Sequence, residues 1–296
     1  MLRISAVFLC HTLFRVGCAL LMAVTLITPL VLVPVNTSYA GSNLLVTPTR
    51  IVFDKRTRSA QVTLMNQGNE TGNYRISFIR QNMTEDGQFV PVKKGEAGKY
   101  SDEMIRYSPR QVTLEPGQPQ VVRLLLRKPR NLEEGEYRSH MLFQALPNQK
   151  KTNVEKLTKK KSNTISVELV PIVGISIPVI VRHGNVSGTL SLSDLKFVKS
   201  GNKKDKTSVS VLMTRSGNGS VYGDFKAVFT SASAQSVVIG QAIGVAVYTP
   251  NTKRRFNIPL QIPPNFNLAD GELHVTFTES GETSETGLMA EIKTRL

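Results

Sequence analysis

The sequence contains no tryptophan and only two cysteines, Cys10 and Cys18, which both lie near its N-terminus. The absence of a tryptophan packed on paired cysteines argues against an antibody-type domain, whose core is built on those three residues. A chain of 296 residues can bury a sizeable core without disulfide bonds. Apolar packing is therefore expected to hold the fold together.

Histidine is also scarce, and the four histidines are far apart in the sequence: His11, His140, His183 and His274. Without a cluster of histidine and cysteine at ligand spacing, the sequence gives no sign of a metal site. It also lacks the glycine-rich loop that cradles phosphate groups. We predict no metal, no cofactor and no small-molecule substrate.

Residue types that could support catalysis occur only in unsuitable places. The neighbouring carboxylates Glu133–Glu134 and Asp102–Glu103 fall in predicted turns, where such pairs are usually solvated. Ser139 and His140 are adjacent in a predicted strand, so their side chains point to opposite faces and cannot activate one another. No catalytic residue is predicted, and the chain is not expected to be an enzyme.

The first forty residues have the pattern of an N-terminal signal peptide. Arg3 and Arg15 supply positive charge, residues 16–35 are almost entirely apolar, and Ser38 and Ala40 are small residues three and one positions before a cut at Gly41. Both cysteines lie inside this segment, so the mature chain would contain none. The apolar run is long enough to span a bilayer as an uncleaved anchor, but the cleavage site and the prolines favour removal and export.

The rest of the chain is strongly basic. Cleavage would remove two of the 37 basic residues and none of the 22 acidic ones, which leaves 35 against 22 and a net charge of +13. An exported chain meets little nucleic acid, and the sequence has neither a recognition helix nor an aromatic RNA-binding motif. We therefore expect acidic protein partners or an anionic membrane surface, and no nucleic acid.

Short runs of alternating apolar and polar residues recur along the chain, whereas helical periodicity is almost absent after residue 40. Turn-rich stretches separate several of these runs. About seven such strands in each half are typical of a β-sandwich. The apolar members of the runs are Ala60-Val62-Leu64, Tyr74-Ile76-Phe78, Val122-Leu124-Leu126, Tyr137 to Phe143, Val209-Val211-Met213, Ile243-Val245-Val247, Phe256-Ile258-Leu260 and Leu273-Val275-Phe277.

The two halves of the chain repeat a short motif. Asn131-Leu-Glu-Glu-Gly-Glu-Tyr137 is matched by Asn267-Leu-Ala-Asp-Gly-Glu-Leu273, and each copy opens an alternating strand. Tyr137 occupies the position of a tyrosine corner, in which the hydroxyl bonds back to the backbone, whereas Leu273 has no hydroxyl. We predict two related domains, residues 41–183 and 184–296.

The stretch from Pro147 to Arg182 combines a lysine-rich loop with an apolar strand. Ile165, Val167 and Leu169 would line one face of that strand, with polar residues on the other. An exposed strand of this kind can bind another chain by β-augmentation. An ordinary core strand would have the same pattern, so the alternation alone leaves both interpretations open.

Three segments together resemble the periplasmic chaperones of pilus and fimbria assembly, the PapD-like family. They are Thr49–Asp54, Leu114–Arg123 and Gly135–Phe143, in the order and spacing of that family. The resemblance covers residues 44–182 and extends to the second domain only in architecture. It implies an all-β fold with two immunoglobulin-like β-sandwich domains in a boomerang arrangement, after an N-terminal signal peptide.

The resemblance also implies a mechanism. Chaperones of this family work in the periplasm and donate one strand of their first domain to a pilin-like subunit whose own sandwich lacks its last strand. An outer-membrane usher later exchanges that strand. On this sequence the donated side chains would be Ile165, Val167 and Leu169, and the lysine-rich loop before them would become ordered when a subunit binds.

In the family, an arginine on the first strand and a lysine on the donor strand bind the terminal carboxylate of the subunit. Arg50 matches the arginine, and its guanidinium can form a bidentate pair with a carboxylate. The lysine position falls between Gly174 and Ser176, and residues 170–181 contain no basic side chain. Ser176, through a neutral hydrogen bond, and Arg182 are the candidate substitutes.

Two further questions stay open at the level of sequence. The tandem sandwiches could instead belong to a structural or surface protein, an adhesin or assembly component without chaperone activity. The lysines of the loop either form a solvated segment or steer association with an acidic subunit or usher. They are Lys150, Lys151, Lys156, Lys159, Lys160 and Lys161.

Overall fold

The structure is a computed structural model that describes residues 43–93, 95–147, 172–199, 207–233, 235–263, 268, 270–280 and 287–295. Within these ranges the chain is all β apart from one 3-10 turn at Asp102–Met104. No described segment forms a helix long and apolar enough to cross a membrane. The predicted signal peptide, the lysine-rich loop and the predicted donor residues Ile165, Val167 and Leu169 lie outside the described residues.

The described residues form eighteen strands. They are β1 Leu44–Thr47, β2 Ile51–Phe53, β3 Ser59–Asn66, β4 Gly72–Ile79, β5 Gln81–Met83, β6 Phe89–Pro91, β7 Ile105–Ser108, β8 Gln111–Leu114, β9 Pro119–Leu126, β10 Gly135–Leu146, β11 Gly174–His183, β12 Gly188–Lys199, β13 Thr207–Gly217, β14 Val221–Ser231, β15 Ser236–Val247, β16 Lys253–Pro259, β17 Gly271–Glu279 and β18 Leu288–Arg295. In most of them buried apolar residues alternate with exposed ones, as in β9. This alternation places one face of each sheet against a core.

The first sandwich is built from two sheets of strands β1 to β11. One sheet has the order β1-β3-β9-β7 and the other the order β2-β11-β10-β4-β8. The first segment of the chain is divided between them, because β1 pairs with β3 while β2 runs parallel to β11. The short hairpin β5–β6 belongs to neither sheet. This topology brings the segment around Arg50 to the edge of β11.

Strand β10 supplies the centre of the first core. Tyr137, Met141 and Phe143 are buried on its inner face, next to Val179 of β11. The hydroxyl of Tyr137 donates a hydrogen bond of 2.9 Å to the carbonyl oxygen of Glu133. The predicted tyrosine corner is thus confirmed, and it holds the start of β10 against the preceding turn.

The second sandwich consists of the sheets β12-β13-β16 and β15-β14-β17-β18. Leu273 stands where the first half has its corner tyrosine, and it is fully buried with Phe229 and Val275. The ring of Phe229 lies directly against Gly271 at the start of the same strand. The second corner is therefore closed by apolar packing instead of a hydroxyl.

Both halves of the fold have their own hydrophobic core. The buried residues of the first core run from Leu44 to Val181, and those of the second from Leu190 to Phe277. The predicted domain boundary between residues 183 and 184 remains a prediction, and it falls between these two sets. No group of metal-binding side chains occurs within the described parts of either half.

The alternation predicted for β15 is interrupted at Ile243. Val245 and Val247 are buried as expected, but the Ile243 side chain is 84% exposed. The register of β14 and β15 shifts at this point, and Gly244 adopts a φ of +73°. A β-bulge of this kind inserts one extra residue and turns the preceding side chains outward.

Candidate functional site

Strand β10 has two buried faces. Its outer face carries Glu136, Arg138 and His140, which are only 2%, 5% and 1% exposed. Alternating charged residues on a strand normally mark a solvated face. Here the face is buried because the second sandwich and the β5–β6 hairpin pack against it.

A third apolar cluster joins the two sandwiches. Met83 and Ile180 of the first sandwich pack with Ala246 and Tyr248 of the second, and the half-buried residues Val52 and Tyr222 lie at its border. Two hydrogen bonds from the second sandwich also hold the β5–β6 hairpin. The side-chain amide of Asn251 donates to the carbonyl of Met83 at 2.6 Å, and the backbone N–H of Arg255 donates to the carbonyl of Glu85 at 2.8 Å.

Glu136 is the best-satisfied ion of this junction. Its carboxylate accepts hydrogen bonds from Arg182 Nε at 3.1 Å, from the backbone N–H of Ser220 at 3.1 Å and from the hydroxyls of Ser220 and Thr249. Ser220 and Thr249 belong to the second sandwich, whereas Glu136 and Arg182 belong to the first. Arg182, one of the two candidate substitute anchors, is therefore already paired with an acid.

Arg50 lies in the short segment between β1 and β2. The centre of its guanidinium is 4.3 Å from the ring centroid of Tyr222, which belongs to the second sandwich. Its Nε and Nη2 atoms are buried and have no hydrogen-bond partner in the described parts of the chain. Among the described residues, Arg50 takes part in no ion pair.

The strand register shows what lies beside Arg50. Ile51 of β2 is level with Val179 of β11, so Arg50 is level with Pro178, which has no basic group and no N–H. Ser176, the other candidate substitute anchor, lies two residues before Pro178 in β11 and is exposed. The register thus sets Ser176 away from the row that contains Arg50.

Arg138 is another buried arginine, and no described acid pairs with it. Its Nη2 atom donates to the carbonyls of Gln81 at 3.3 Å and Thr249 at 3.2 Å, while Nε and Nη1 have no partner. The guanidinium lies 4.5 Å from the ring centroid of Tyr248. Burial lowers the pKa of Arg138 below the usual arginine value.

Sequence reasoning did not single out Arg138, although it lies within a segment that resembles the PapD-like family. On a strand whose odd-numbered residues face the core, alternation places Arg138 on the opposite face. The polar series at residues 136, 138 and 140 gave no signal of burial, because polar residues opposite a largely apolar face are the ordinary pattern of a half-solvated strand. The burial of this face depends on the second sandwich, which is distant in sequence.

His140 completes the row of polar residues on β10. Its ring contacts Phe89 of β6 edge-on at 4.7 Å, and neither ring nitrogen has a hydrogen-bond partner. Burial, aided by the nearby charge of Arg138, lowers the pKa of His140 to about 3. The imidazole is consequently neutral at physiological pH.

One edge of β11 is only partly paired. Along one side it pairs with β10 over its whole length, but on the other side β2 covers only residues 179–181. Among the described residues, no strand pairs with positions 174–178 on that side. Ile172 and Val173, directly before the strand, are 55% and 68% exposed. The described part of the predicted donor strand therefore has an open edge and exposed apolar side chains.

The residues considered for enzymatic chemistry have structural partners. Asp102 and Glu103 both pair with Arg80, at 2.8 Å and 2.7 Å. The hydroxyl of Ser139 donates to Asp102 at 2.6 Å, and not to His140. Glu133 is largely exposed and lies 3.7 Å from Lys99. These contacts connect loops and strands of the first sandwich.

Comparison with known proteins gives one family match. Residues 43–182 match the family model described as pili and flagellar-assembly chaperone, PapD N-terminal domain. Comparison with curated protein sequences gives no match. The matched range contains Arg50, Arg138 and the whole of β10, and it ends at Arg182 in β11.

Several solved structures are similar to the chain at low identity. The CsuC–CsuE chaperone–tip adhesion subunit pre-assembly complex of Acinetobacter baumannii is 14% identical, covering 84% of this chain and 99% of that chain, with a TM-score of 0.43. The YadV chaperone is 14% identical, with coverages of 86% and 99% and a TM-score of 0.41. The E. coli chaperone DraB is 13% identical, with coverages of 86% and 97% and a TM-score of 0.39.

Proposed function

Because the chain belongs to the pili and flagellar-assembly chaperone family through its PapD N-terminal domain at residues 43–182, we propose that it binds pilin-like subunits by strand donation. It would do so in the periplasm, after removal of residues 1–40, and would release the subunit at an outer-membrane usher. The family consists of assembly chaperones and not of enzymes. Strand donation is the form of chaperone action that the edge of β11 supports best.

The open edge of β11 is the observation that carries this proposal. A strand with unpaired N–H and C=O groups can extend its sheet by pairing with another chain. Residues 174–178 have such an edge, and the apolar side chains of Ile172 and Val173 are exposed beside it. Further upstream, Ile165, Val167 and Leu169 would fill the groove of the subunit.

The segment around Arg50 supports a carboxylate anchor at the end of this edge. A buried guanidinium with two unpartnered nitrogens is costly, at about 1–3 kcal/mol for each unmade hydrogen bond. A carboxylate would satisfy Nε and Nη2 together in a bidentate, charge-assisted pair. Arg138, another arginine of this junction that has no acid partner among the described residues, is the candidate second cation in place of the missing lysine.

Co-expression with a pilin-like subunit tests the proposal. We expect Leu169→Asp and Arg50→Ala each to lower recovery of soluble subunit at least tenfold, because they remove a groove-filling side chain and the anchor respectively. Val121→Asp and Arg56→Ala are matched controls, since Val121 lies on exposed β9 surface and Arg56 is exposed after β2. Unchanged recovery with Leu169→Asp would exclude strand donation, and unchanged recovery with Arg50→Ala would exclude the anchor.

Cell fractionation tests the location. The protein is expected in the soluble periplasmic fraction and not in sheared surface fibres. Finding it in the fibres would instead support a structural or adhesive role for the two sandwiches.

A further inference from the structure

The partner of Arg50 in this structure is an aromatic ring and not an acid. Tyr222 of β14 is half-buried, and its ring covers one face of the guanidinium at 4.3 Å. Stacking on a ring leaves the edge of a guanidinium unused, because the N–H groups point outward in the plane of the group. The two nitrogens of one edge, Nε and Nη2, indeed have no hydrogen-bond partner.

The position of the Tyr222 ring is fixed from the second sandwich. Its hydroxyl lies close to Gly244 in the bulge of β15, where a Cβ atom would be only 3.1 Å away. Gly244 has a φ of +73°, and its N–H donates to Asp224 Oδ1 at 2.8 Å. The bulge therefore needs glycine at this position and lies beside the hydroxyl end of the ring.

A stacked ring and a bidentate carboxylate are compatible on one guanidinium. The ring occupies the face, whereas a carboxylate approaches in the plane through two parallel N–H···O bonds. An aspartate or glutamate in place of Tyr222 would also hold Arg50, but it would use the N–H groups and neutralise the charge. An aromatic partner orients the cation and keeps its hydrogen-bonding edge for another acid.

We infer that Tyr222 is a positioning residue for the Arg50 anchor, supplied by the second sandwich to a site whose cation comes from the first. The inference rests on the proposed function, since it concerns how the subunit carboxylate is held. It assigns a part of carboxylate recognition to residues beyond the PapD N-terminal domain. The bulge at Gly244 then serves to hold the ring of Tyr222 against Arg50.

Paired peptides can separate this role from a general effect on the fold. The probes are an eight-residue alternating Val-Thr peptide with a free C-terminal carboxylate and the same peptide with a C-terminal amide, titrated calorimetrically into the full chain. We expect the wild type to bind the acid about tenfold more tightly than the amide, because only the acid can pair with Arg50. Tyr222→Leu should abolish this preference while the affinity for the amide stays unchanged.

Two further variants sharpen the test. Tyr222→Phe keeps the aromatic face and should restore the preference for the acid. Tyr107→Leu is the control, because the ring centroid of Tyr107 lies 5.3 Å from the guanidinium of a different arginine, Arg110, in the first sandwich. This variant should keep the preference for the acid peptide. If Tyr222→Leu keeps the preference, or lowers the affinity for both peptides equally, the inference is wrong. If the wild type binds neither peptide, or binds both equally, the proposed strand donation or anchor fails and the inference fails with it.

Discussion

Glu136 and Arg138 are two residues apart on the same face of β10, and both are almost fully buried, yet they differ in their surroundings. Glu136 accepts hydrogen bonds from Arg182, Ser220 and Thr249, so Arg182 balances its charge and the second sandwich supplies further donors. Within the residues that the structure describes, Arg138 has no acid partner, and its Nε and Nη1 atoms have no hydrogen-bond partner. Two neighbouring positions of one strand face therefore differ: the acid is fully hydrogen-bonded, and the arginine is not.

The difference suggests different roles for the two positions. A buried charge that is fully paired holds neighbouring elements in a fixed arrangement. Removing one partner destabilises the fold, because the other charge stays buried without compensation. A buried charge without a counter-ion is costly for the fold and is typical of a site that meets a ligand. Arg50 belongs with Arg138 in this comparison, because it too lacks an acid and stacks on a tyrosine.

Removing the carboxylate of Glu136 should have the largest effect on stability. Glu136→Ala leaves Arg182 and the N–H of Ser220 without their acceptor, and we expect a loss of about 3–5 kcal/mol in the free energy of unfolding. Urea denaturation monitored by circular dichroism measures this loss. Glu133→Ala is the control, because that carboxylate is 83% exposed and its pair with Lys99 should contribute less than about 1 kcal/mol. Equal effects of the two substitutions would contradict the structural role of Glu136.

Much of the first sandwich could be predicted because the sequence patterns that specify its strands and corner involve residues close together in the chain. The alternation of Tyr137, Met141 and Phe143 predicts a core strand, and the position of Tyr137 predicts the corner that its hydroxyl forms. The outer face of β10 could not be predicted in this way. Glu136, Arg138 and His140 are buried by the second sandwich and the β5–β6 hairpin, which are distant in sequence.

The same limit applies to the candidate anchor. The resemblance in residues 49–54 indicated Arg50, but the ring beside it comes from Tyr222, more than 170 positions later in the chain. The bulge that supports this ring also interrupts the alternation of β15, so Ile243 is exposed against expectation. Neither the contact of Tyr222 with Arg50 nor that of the bulge with Tyr222 can be predicted from a single sequence, because each depends on how distant strands pack together.

A pH-dependent loss of stability is expected when the pH is lowered, because His140 is buried in its neutral form. Its pKa is about 3 in the folded chain, below the ordinary value of about 6.5, so the unfolded chain takes up a proton first. Stability should therefore fall as the pH decreases from about 6.5 towards 3, by about 1.4 kcal/mol per pH unit from this residue.

His140→Leu isolates this contribution. Leucine keeps an apolar contact with Phe89 and has no proton to gain, so the variant should lose that part of the pH dependence between pH 6.5 and 4. Urea denaturation midpoints of both proteins across this range provide the measurement. Parallel pH profiles would mean that His140 is protonated equally in the folded and unfolded chains.

Replacing Arg138 should have the smallest effect on stability and should differ most from the replacement of Glu136. Arg138→Met removes a buried, acid-free charge and keeps much of the packing against Tyr248, so we expect the free energy of unfolding to change by less than about 1 kcal/mol. Binding of a pilin-like subunit should nevertheless weaken about tenfold, because a candidate cation for its carboxylate is lost. Loss of stability with unchanged subunit binding would place Arg138 in the structural network together with Glu136. Retained stability with weakened binding would set the two positions apart, since a charge that contributes little to the fold is then kept buried for the partner.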